Sequence, residues 1–398
     1  MNKLILNTGV QDYIENNLNT DIVSVLLQKQ VFEGVSQKEL ASQLEAKKKC
    51  RSKLPTWFAT PKVYYPNKLN IEQTSSEGAA EYKSRLVSGK NLLDVTGGFG
   101  VDSFYFAKKM ECVFHCEKNA KLSEIAAYNF TVLGAQNIKA YTGDGLQFLT
   151  ASNRHYDWIY VDPSRRHDVK GKVFLLKDCE PNLPEKLSLL FSKSKNVLIK
   201  TSPLLDIKQG ISELEYIREI HVVAIQNEVK ELLFVLEHKC SNDIVVKTIN
   251  LNKDIVQEFS FELEKESVAE VTYQLPQAFL YEPNSAILKS GGFKSIGVEF
   301  ELHKLHQHSH LYTSDKLLDF PGRCFKIEKV LPYTKKNLQS YRNKKVNITT
   351  RNFPVSVAEL RKKFKLKDGG EDYLFFSKNH LDDLTIIQTK KCGPSKAR

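Results

Sequence analysis

Between about residues 71 and 238, short apolar runs alternate with stretches of helical periodicity, and this alternation constrains the architecture more than any other feature. The runs occupy residues 91–95, 112–116, 138–141, 158–161, 197–199, 221–225 and 232–236. Strands that are apolar throughout must be covered on both faces, which calls for a parallel sheet between layers of helices. Only residues 226–231 separate the last two runs, too few for a crossover helix, so these strands must form an antiparallel hairpin.

A parallel α/β sheet with a reversed final strand is the Rossmann-like, seven-stranded arrangement of class I methyltransferases, and a dinucleotide-binding domain does not usually end that way. The chain of 398 residues exceeds one ordinary core, so further domains are expected. Residues 1–72 predict a helical region, with Leu18, Ile22 and Leu26 and then Val23 and Leu27 at helical spacing. It ends in Lys47, Lys48, Lys49, Arg51 and Lys53, followed by Trp57, Phe58, Tyr64 and Tyr65; core aromatics explain these better than a base-stacking surface. Residues 73–240 form the expected catalytic domain. Residues 241–322 read as β-rich, with strands expected at 244–251, 256–263 and 269–275, and residues 323–398 as a small α+β domain.

From Gly322 to Arg398 there are 19 Lys and Arg against 7 Asp and Glu, an excess of 12 positive charges within a net charge of +11. Basicity is therefore a property of one end, the pattern by which proteins collect polyanions. RNA is the expected partner, with Arg323, Lys344, Lys345, Arg351, Arg361, Lys362 and Lys363 as candidate contacts. The 7 cysteines are odd in number and scattered, which suits reduced thiols and a cytoplasmic location. The first thirty residues lack a signal-peptide pattern, and no apolar run is long enough to span a bilayer. No metal site is expected: Cys112 and Cys116 have no second pair, and His303, His306, His308 and His310 read as an exposed strand or loop.

The segment from Leu92 to Asp102 ends a strand in a glycine-rich turn and enters a helix. Its Gly97, Gly98 and Gly100 allow close backbone approach, but Ser103 replaces the third glycine of a dinucleotide fingerprint. Asp94 would repel a pyrophosphate and suits the α-amino group of S-adenosylmethionine (SAM). Glu117, after the second strand, is placed for ribose hydroxyls, and Asp144, beside Gly145 after the third, for the adenine amine. Three acids at three successive strand ends predict SAM as cofactor, with Thr96 and Asp102 in the same loop. Gln73, Ser75 and Ser76 open a helix before the first strand and are further candidates; a helix cap is their alternative role.

The fourth strand ends in Asp162-Pro163-Ser164-Arg165-Arg166, at the position that faces a transferable methyl group in this topology. Base-amine methyltransferases resemble this, although Ser164 stands for their second proline and Arg165 for their stacking aromatic. A ribose-hydroxyl reading competes. Asp162, Lys200 and Glu231, with Lys83 as a fourth member, resemble the Lys-Asp-Lys-Glu set of RNA 2′-O-methyltransferases, where a lysine lowers the pKa of the hydroxyl. A cytosine C5 mechanism has no cysteine nucleophile here.

With these residues in view, the chain resembles a family of bacterial class I methyltransferases that carry a ferredoxin-like domain and a C-terminal THUMP-like domain. The likeness rests on Glu72-Gln73-Thr74-Ser75-Ser76, the loop from Asp94 to Asp102, Asp162-Pro163-Ser164-Arg165-Arg166, Lys200-Thr201-Ser202-Pro203, Glu282-Pro283-Asn284-Ser285-Ala286 and Arg351-Asn352-Phe353-Pro354. The resemblance implies SAM binding by the central domain and, by analogy with true THUMP modules, RNA capture by the end domain. The expected activity is methylation of a base amine or ribose hydroxyl of a structured RNA such as rRNA or tRNA. The alternatives are a protein or small-molecule methyltransferase, or a SAM- and RNA-binding module without catalysis.

Overall fold

The computed structural model describes residues 1–165, 175–253 and 255–393 and divides into two compact units. The first comprises residues 1–218 and 232–241. Its sheet contains β1 (Asn91–Asp94), β2 (Cys112–Glu117), β3 (Ile138–Thr142) and β4 (Tyr156–Val161). A minor ladder of β5 (Ser164–Arg165) and β6 (Cys179–Glu180) follows, and the main sheet resumes with β7 (Ser194–Thr201). The chain then passes through β8 (Ile217–Ile225) and returns in β9 (Glu228–Glu237). In this unit the strand order is β3-β2-β1-β4-β7-β9; all pair in parallel except β9, which is antiparallel to β7. Leu92, Leu93, Ile159, Val197, Leu198 and Ile199 are all 0% exposed, as strands covered on both faces must be. Gln226 and Asn227, both at positive φ, form the tight reversal between β8 and β9.

The N-terminal region is helical, but residues 17–21 interrupt it. One helix covers Thr8–Asn16 and the next Ile22–Leu27, capped by Asp21, whose carboxylate accepts the Ser24 N–H. The apolar spacing from Leu18 to Leu27 does not make one helix: Leu18 is buried, whereas Val23 and Leu27 are exposed. A capping box of Ser36 and Glu39 starts the long helix Gln37–Lys53. The aromatics after it are core: Trp57 is fully buried, with its ring 4.9 Å from Phe104 and 6.3 Å from Phe99 of the glycine loop. The helical region therefore buttresses that loop from behind.

The second unit comprises residues 219–231 and 242–398, described to 393. Beside β8 runs β10 (Val245–Leu251) in parallel, and β11 (Val256–Glu262) is antiparallel to β10. Residues 269–275 are not a strand. A helix covers Leu263–Val268, and beyond it only a single parallel bridge forms, Tyr273 to Lys304 of β13, at the edge of its sheet, which leaves Tyr273 and Leu275 exposed.

A seven-stranded sheet follows, built from β12 (Phe279–Pro283), β13 (His303–Lys304), β14 (Tyr312–Ser314), β15 (Gly322–Pro332), β16 (Asn347–Arg351), β17 (Asp372–Lys378) and β18 (Leu384–Lys391). Its order is β13-β14-β12-β15-β18-β17-β16. The helix Val357–Phe364 opens with a second capping box, Ser356 and Glu359, and buries Leu360 and Phe364 in a core with Leu374, Phe376 and Ile386. The histidine-rich stretch is only partly exposed: His308 is exposed and His303 half-buried in β13, but His306 is 7% exposed and the His310 ring stacks on Phe293 with centroids 3.6 Å apart. Among the described residues no His, Cys, Asp and Glu group could hold a metal, no disulfide forms, and no helix is long and apolar enough to cross a membrane.

Candidate active site

Asp94 ends β1 and is 1% exposed, so it lies beneath the glycine loop rather than on its surface. Its Oδ1 accepts the Thr96 N–H at 3.0 Å, and its Oδ2 accepts the Ser103 hydroxyl at 2.6 Å. Ser103 belongs to the helix Val101–Ala107, so one carboxylate fastens the loop at both ends. Ser103 Oγ also lies 3.0 Å from Nδ1 of buried His115 on β2. Burial lifts the Asp94 carboxyl to about 7, against hydrogen bonds from Ser103 and Thr96, and pushes His115 down to about 4.

The glycines have distinct roles. A Cβ on Gly97 would collide with the His115 ring, and one on Gly145 with the backbone carbonyl of Val95, so both positions pack too closely for a side chain. Gly100 has φ +86 and abuts Phe130. At Gly98, with φ +60, a Cβ would meet nothing nearer than the Thr96 carbonyl at 3.9 Å. The loop therefore turns backbone toward open space, as close approach to a ligand requires.

Glu117 and Asp144 stand at the ends of β2 and β3, beside Asp94 in the sheet. Glu117 accepts the Gly98 N–H at 2.8 Å and the Asn119 N–H at 2.6 Å. Asp144 caps the helix Gly145–Ala151 through Oδ1, at 2.9 Å from Leu146 N and 3.0 Å from Gln147 N. Its Oδ2 lies 3.9 Å from Lys118 Nζ.

Ser75 donates its hydroxyl to Asp102 at 2.8 Å, and Tyr160 of β4 does the same at 2.8 Å. Lys83, fully buried in the helix Glu77–Ser84, lies 3.2 Å from Asp102. Burial alone would raise the Asp102 carboxyl; the Lys83 and Lys200 ammonium groups and the two hydroxyls hold it below the usual range. Ser76 caps its helix through Ala79 N, and Gln73 is exposed at the end of the preceding helix.

Lys200 at the end of β7 forms a close ion pair with Asp162 just beyond β4. The Lys200 side chain is 12% exposed and that of Asp162 33% exposed. The Asp162 N–H donates to Thr96 Oγ1 at 2.7 Å, fastening the end of β4 to the glycine loop. Lys83, Asp102, Lys200 and Asp162 thus form a chain of alternating charge. Pro163 is buried and Ser164 exposed; β5 pairs Ser164 with Glu180 and Arg165 with Cys179, and Arg166 lies outside the described residues. Glu231 is buried and directly precedes Leu232, the residue in register with Thr201. The sequence reading missed Ser103, His115 and Tyr160. A histidine inside the apolar run Val113-Phe114-His115-Cys116 was the available signal for one of them.

In the second unit, Lys344, Lys345, Lys362 and Lys363 are exposed. Arg361 pairs with Asp368, while Arg323 and Arg351 both pair with buried Glu282. These three arginines are thus ion-paired within the fold, whereas Lys344 and Lys363 lie over the rings of Tyr341 and Phe364 with their side chains exposed.

The sheet order, the reversed β9 and the glycine loop between β1 and its helix define a methyltransferase-type α/β domain. Residues 279–321 match a ferredoxin-like domain model and residues 322–391 a THUMP-like domain model. A crystal structure from Porphyromonas gingivalis W83, provisionally assigned as a methyltransferase, is 32% identical over 98% of this chain and 99% of that one, with a TM-score of 0.89. This chain belongs to that protein's family, methyltransferases that carry a ferredoxin-like and a THUMP-like domain. An rRNA methylase from Streptococcus thermophilus aligns over 40% of this chain and 93% of its own, with 12% identity and a TM-score of 0.30. A Pyrococcus horikoshii protein, provisionally an RNA methyltransferase, aligns over 43% and 90%, with 15% identity and a TM-score of 0.33. Both of these likenesses are confined to less than half of this chain. No curated protein matches the sequence.

Proposed function

We propose that the chain is a SAM-dependent RNA methyltransferase acting at Asp162 and Lys200. The residues present suit SAM: Gly98 exposes backbone to open space, and Glu117 and Asp144 stand at the neighbouring strand ends for ribose and adenine. SAM supplies an electrophilic methyl group on a sulfonium; the rest of the chemistry belongs to the protein. Thr96, Gly97, Gly100 and Gly145 shape the loop, Asp94 holds it from below, and Ser75 and Asp102 hold the helix beside it.

The observation that carries the reading is the Asp162–Lys200 ion pair, fastened to the glycine loop through Thr96. It favours a ribose hydroxyl over a base amine. A hydroxyl that passes its proton to the Asp162 carboxylate develops negative charge, which the Lys200 ammonium, no longer neutralised by that carboxylate, stabilises. An amine that accepts a methyl cation develops positive charge, which the same ammonium opposes. RNA as acceptor draws its support from the THUMP-like domain and its exposed lysines. Transfer of labelled methyl from SAM to RNA of a strain lacking the protein, followed by nucleoside analysis, tests this. Label in a ribose-methylated nucleoside, reduced about a hundredfold or more in Asp162→Ala and Lys200→Met, is expected. Label on a base amine would replace the hydroxyl reading, and label only on protein or small molecules would overturn the RNA reading.

A further inference from the structure

The seven-stranded sheet of the second unit curls until its far strands meet over one buried carboxylate. β12 and β16 are four strands apart in its order. At roughly 4.8 Å per strand, a flat sheet would hold them about 19 Å apart. Yet Arg351, the last residue of β16, reaches Glu282 of β12 at 2.6 Å, and Asn352 Nδ2 lies 2.9 Å from His306 Nδ1 beyond β13. Arg323 of β15 completes the cluster by giving Nε, at 2.8 Å, and Nη2 to the other Glu282 oxygen.

A join between strands needs one cation for one carboxylate. Here there are two, and their exposure is opposite to that of the acid: the Glu282 side chain is 3% exposed, those of Arg323 and Arg351 37% and 38%. The carboxylate is the floor, and the guanidinium groups rise from it toward solvent. Arg323 Nη1 and Arg351 Nε have no partner among the described residues. Basic side chains also gather around the neighbouring His310, among them Lys304 and Arg351. The nearby acids include Glu282, already shared, Asp382, which faces His306 at 3.4 Å and Lys378 at 3.2 Å, and Glu266, which acts on Lys304. His310 itself stacks on Phe293, and its buried Nδ1 lacks a hydrogen-bond partner.

We propose that Arg323 and Arg351, aimed by Glu282, form a clamp for a phosphate group of the RNA acceptor, with the Phe293–His310 stack beside it. The clamp rests on the RNA reading above and deepens it. Planar guanidinium forks held at a fixed spacing match phosphate oxygens in a way that flexible lysines do not. The exposed Lys344, Lys345, Lys362 and Lys363 attract RNA from a distance; the clamp sets its register.

Full-length protein and unfractionated tRNA as probe provide the test. Arg323→Lys with Arg351→Lys keeps the charge but not the fork, so RNA affinity is expected to fall about tenfold with an unchanged salt slope. The thermal midpoint should fall, because buried Glu282 loses its guanidinium forks, so affinity is read well below that midpoint, where SAM titration should match the wild type. A second measurement needs no variant: phenylglyoxal labelling of wild-type protein, read by mass spectrometry, should show Arg323 and Arg351 protected by bound tRNA. Wild-type affinity in the double variant, or full labelling of both arginines in an RNA-bound protein, would reduce the cluster to a join between strands. Equal protection by inorganic phosphate at the same phosphate concentration would make it a small-anion site and overturn the RNA assignment. A wild-type protein that binds no RNA at all would remove the RNA reading itself, an outcome distinct from failure of the clamp.

Discussion

Asp94 shows how one buried carboxyl can organise a loop and carry a pH signature. Its folded pKa of about 7 lies above the roughly 3.9 of an unfolded aspartate. Its contribution to stability is therefore fully present below about pH 4 and is lost as pH rises through 7. His115, held at about 4, runs the other way: its contribution is present above roughly 6.5 and is lost as pH falls through 4. Between pH 4 and 6.5 the two slopes oppose each other across Ser103, and the wild-type profile is flattened. Asp94→Asn should expose the histidine alone, so the variant loses stability relative to the wild type as pH falls from 7 to 4. Urea midpoints at several pH values check this; parallel profiles for the two proteins would refute it. Asp94 was legible in the sequence as a strand-end acid beside glycines. Its depth was not, because a carboxylate that contacts a ligand and one that fastens a loop from beneath have the same sequence signature.

The glycine loop is a packed element, and its predictions are steric. Gly97→Ala would drive a methyl into the fully buried His115 ring, an overpacking that costs about 1–3 kcal/mol. Gly134→Ala, where nothing lies within 4 Å of a Cβ, should keep SAM binding and lose only the smaller cost of its positive φ. Trp57→Ala removes the ring that supports Phe99 and should cost about 3–5 kcal/mol, with weakened SAM binding. Chemical denaturation with SAM calorimetry measures all three, and a Gly97→Ala protein as stable as the wild type would contradict the steric account. Strands were the most legible elements because their apolar runs are short, continuous and bounded. Helix spacing from Leu18 to Leu27 misled, since Asp21 restarts the helix with its own cap and leaves Val23 and Leu27 exposed. Residues 269–275 misled for the opposite reason: alternation was present, but it yields only one bridge, Tyr273 to Lys304 at a sheet edge, and leaves Tyr273 and Leu275 exposed.

At the scale of the whole chain, charge is segregated: the excess of 12 positive charges from Gly322 onward exceeds the net charge of +11. RNA affinity should therefore fall steeply with salt, and Lys362→Gln with Lys363→Gln should lower the slope by roughly two without altering SAM binding. A slope unchanged in that variant would take those lysines out of the interface. The sequence indicated the basic end but not how its arginines are used, because Glu282 lies far away in sequence: it meets Arg323 only once β12 pairs with β15, and Arg351 only once the sheet has curled. Methyl transfer presupposes a donor held at the glycine loop. Isothermal calorimetry of the folded full-length protein with SAM and with its demethylated product measures this directly. One molecule bound per chain, and loss of binding in Gly97→Ala, is the predicted result; no heat from either ligand would contradict the account.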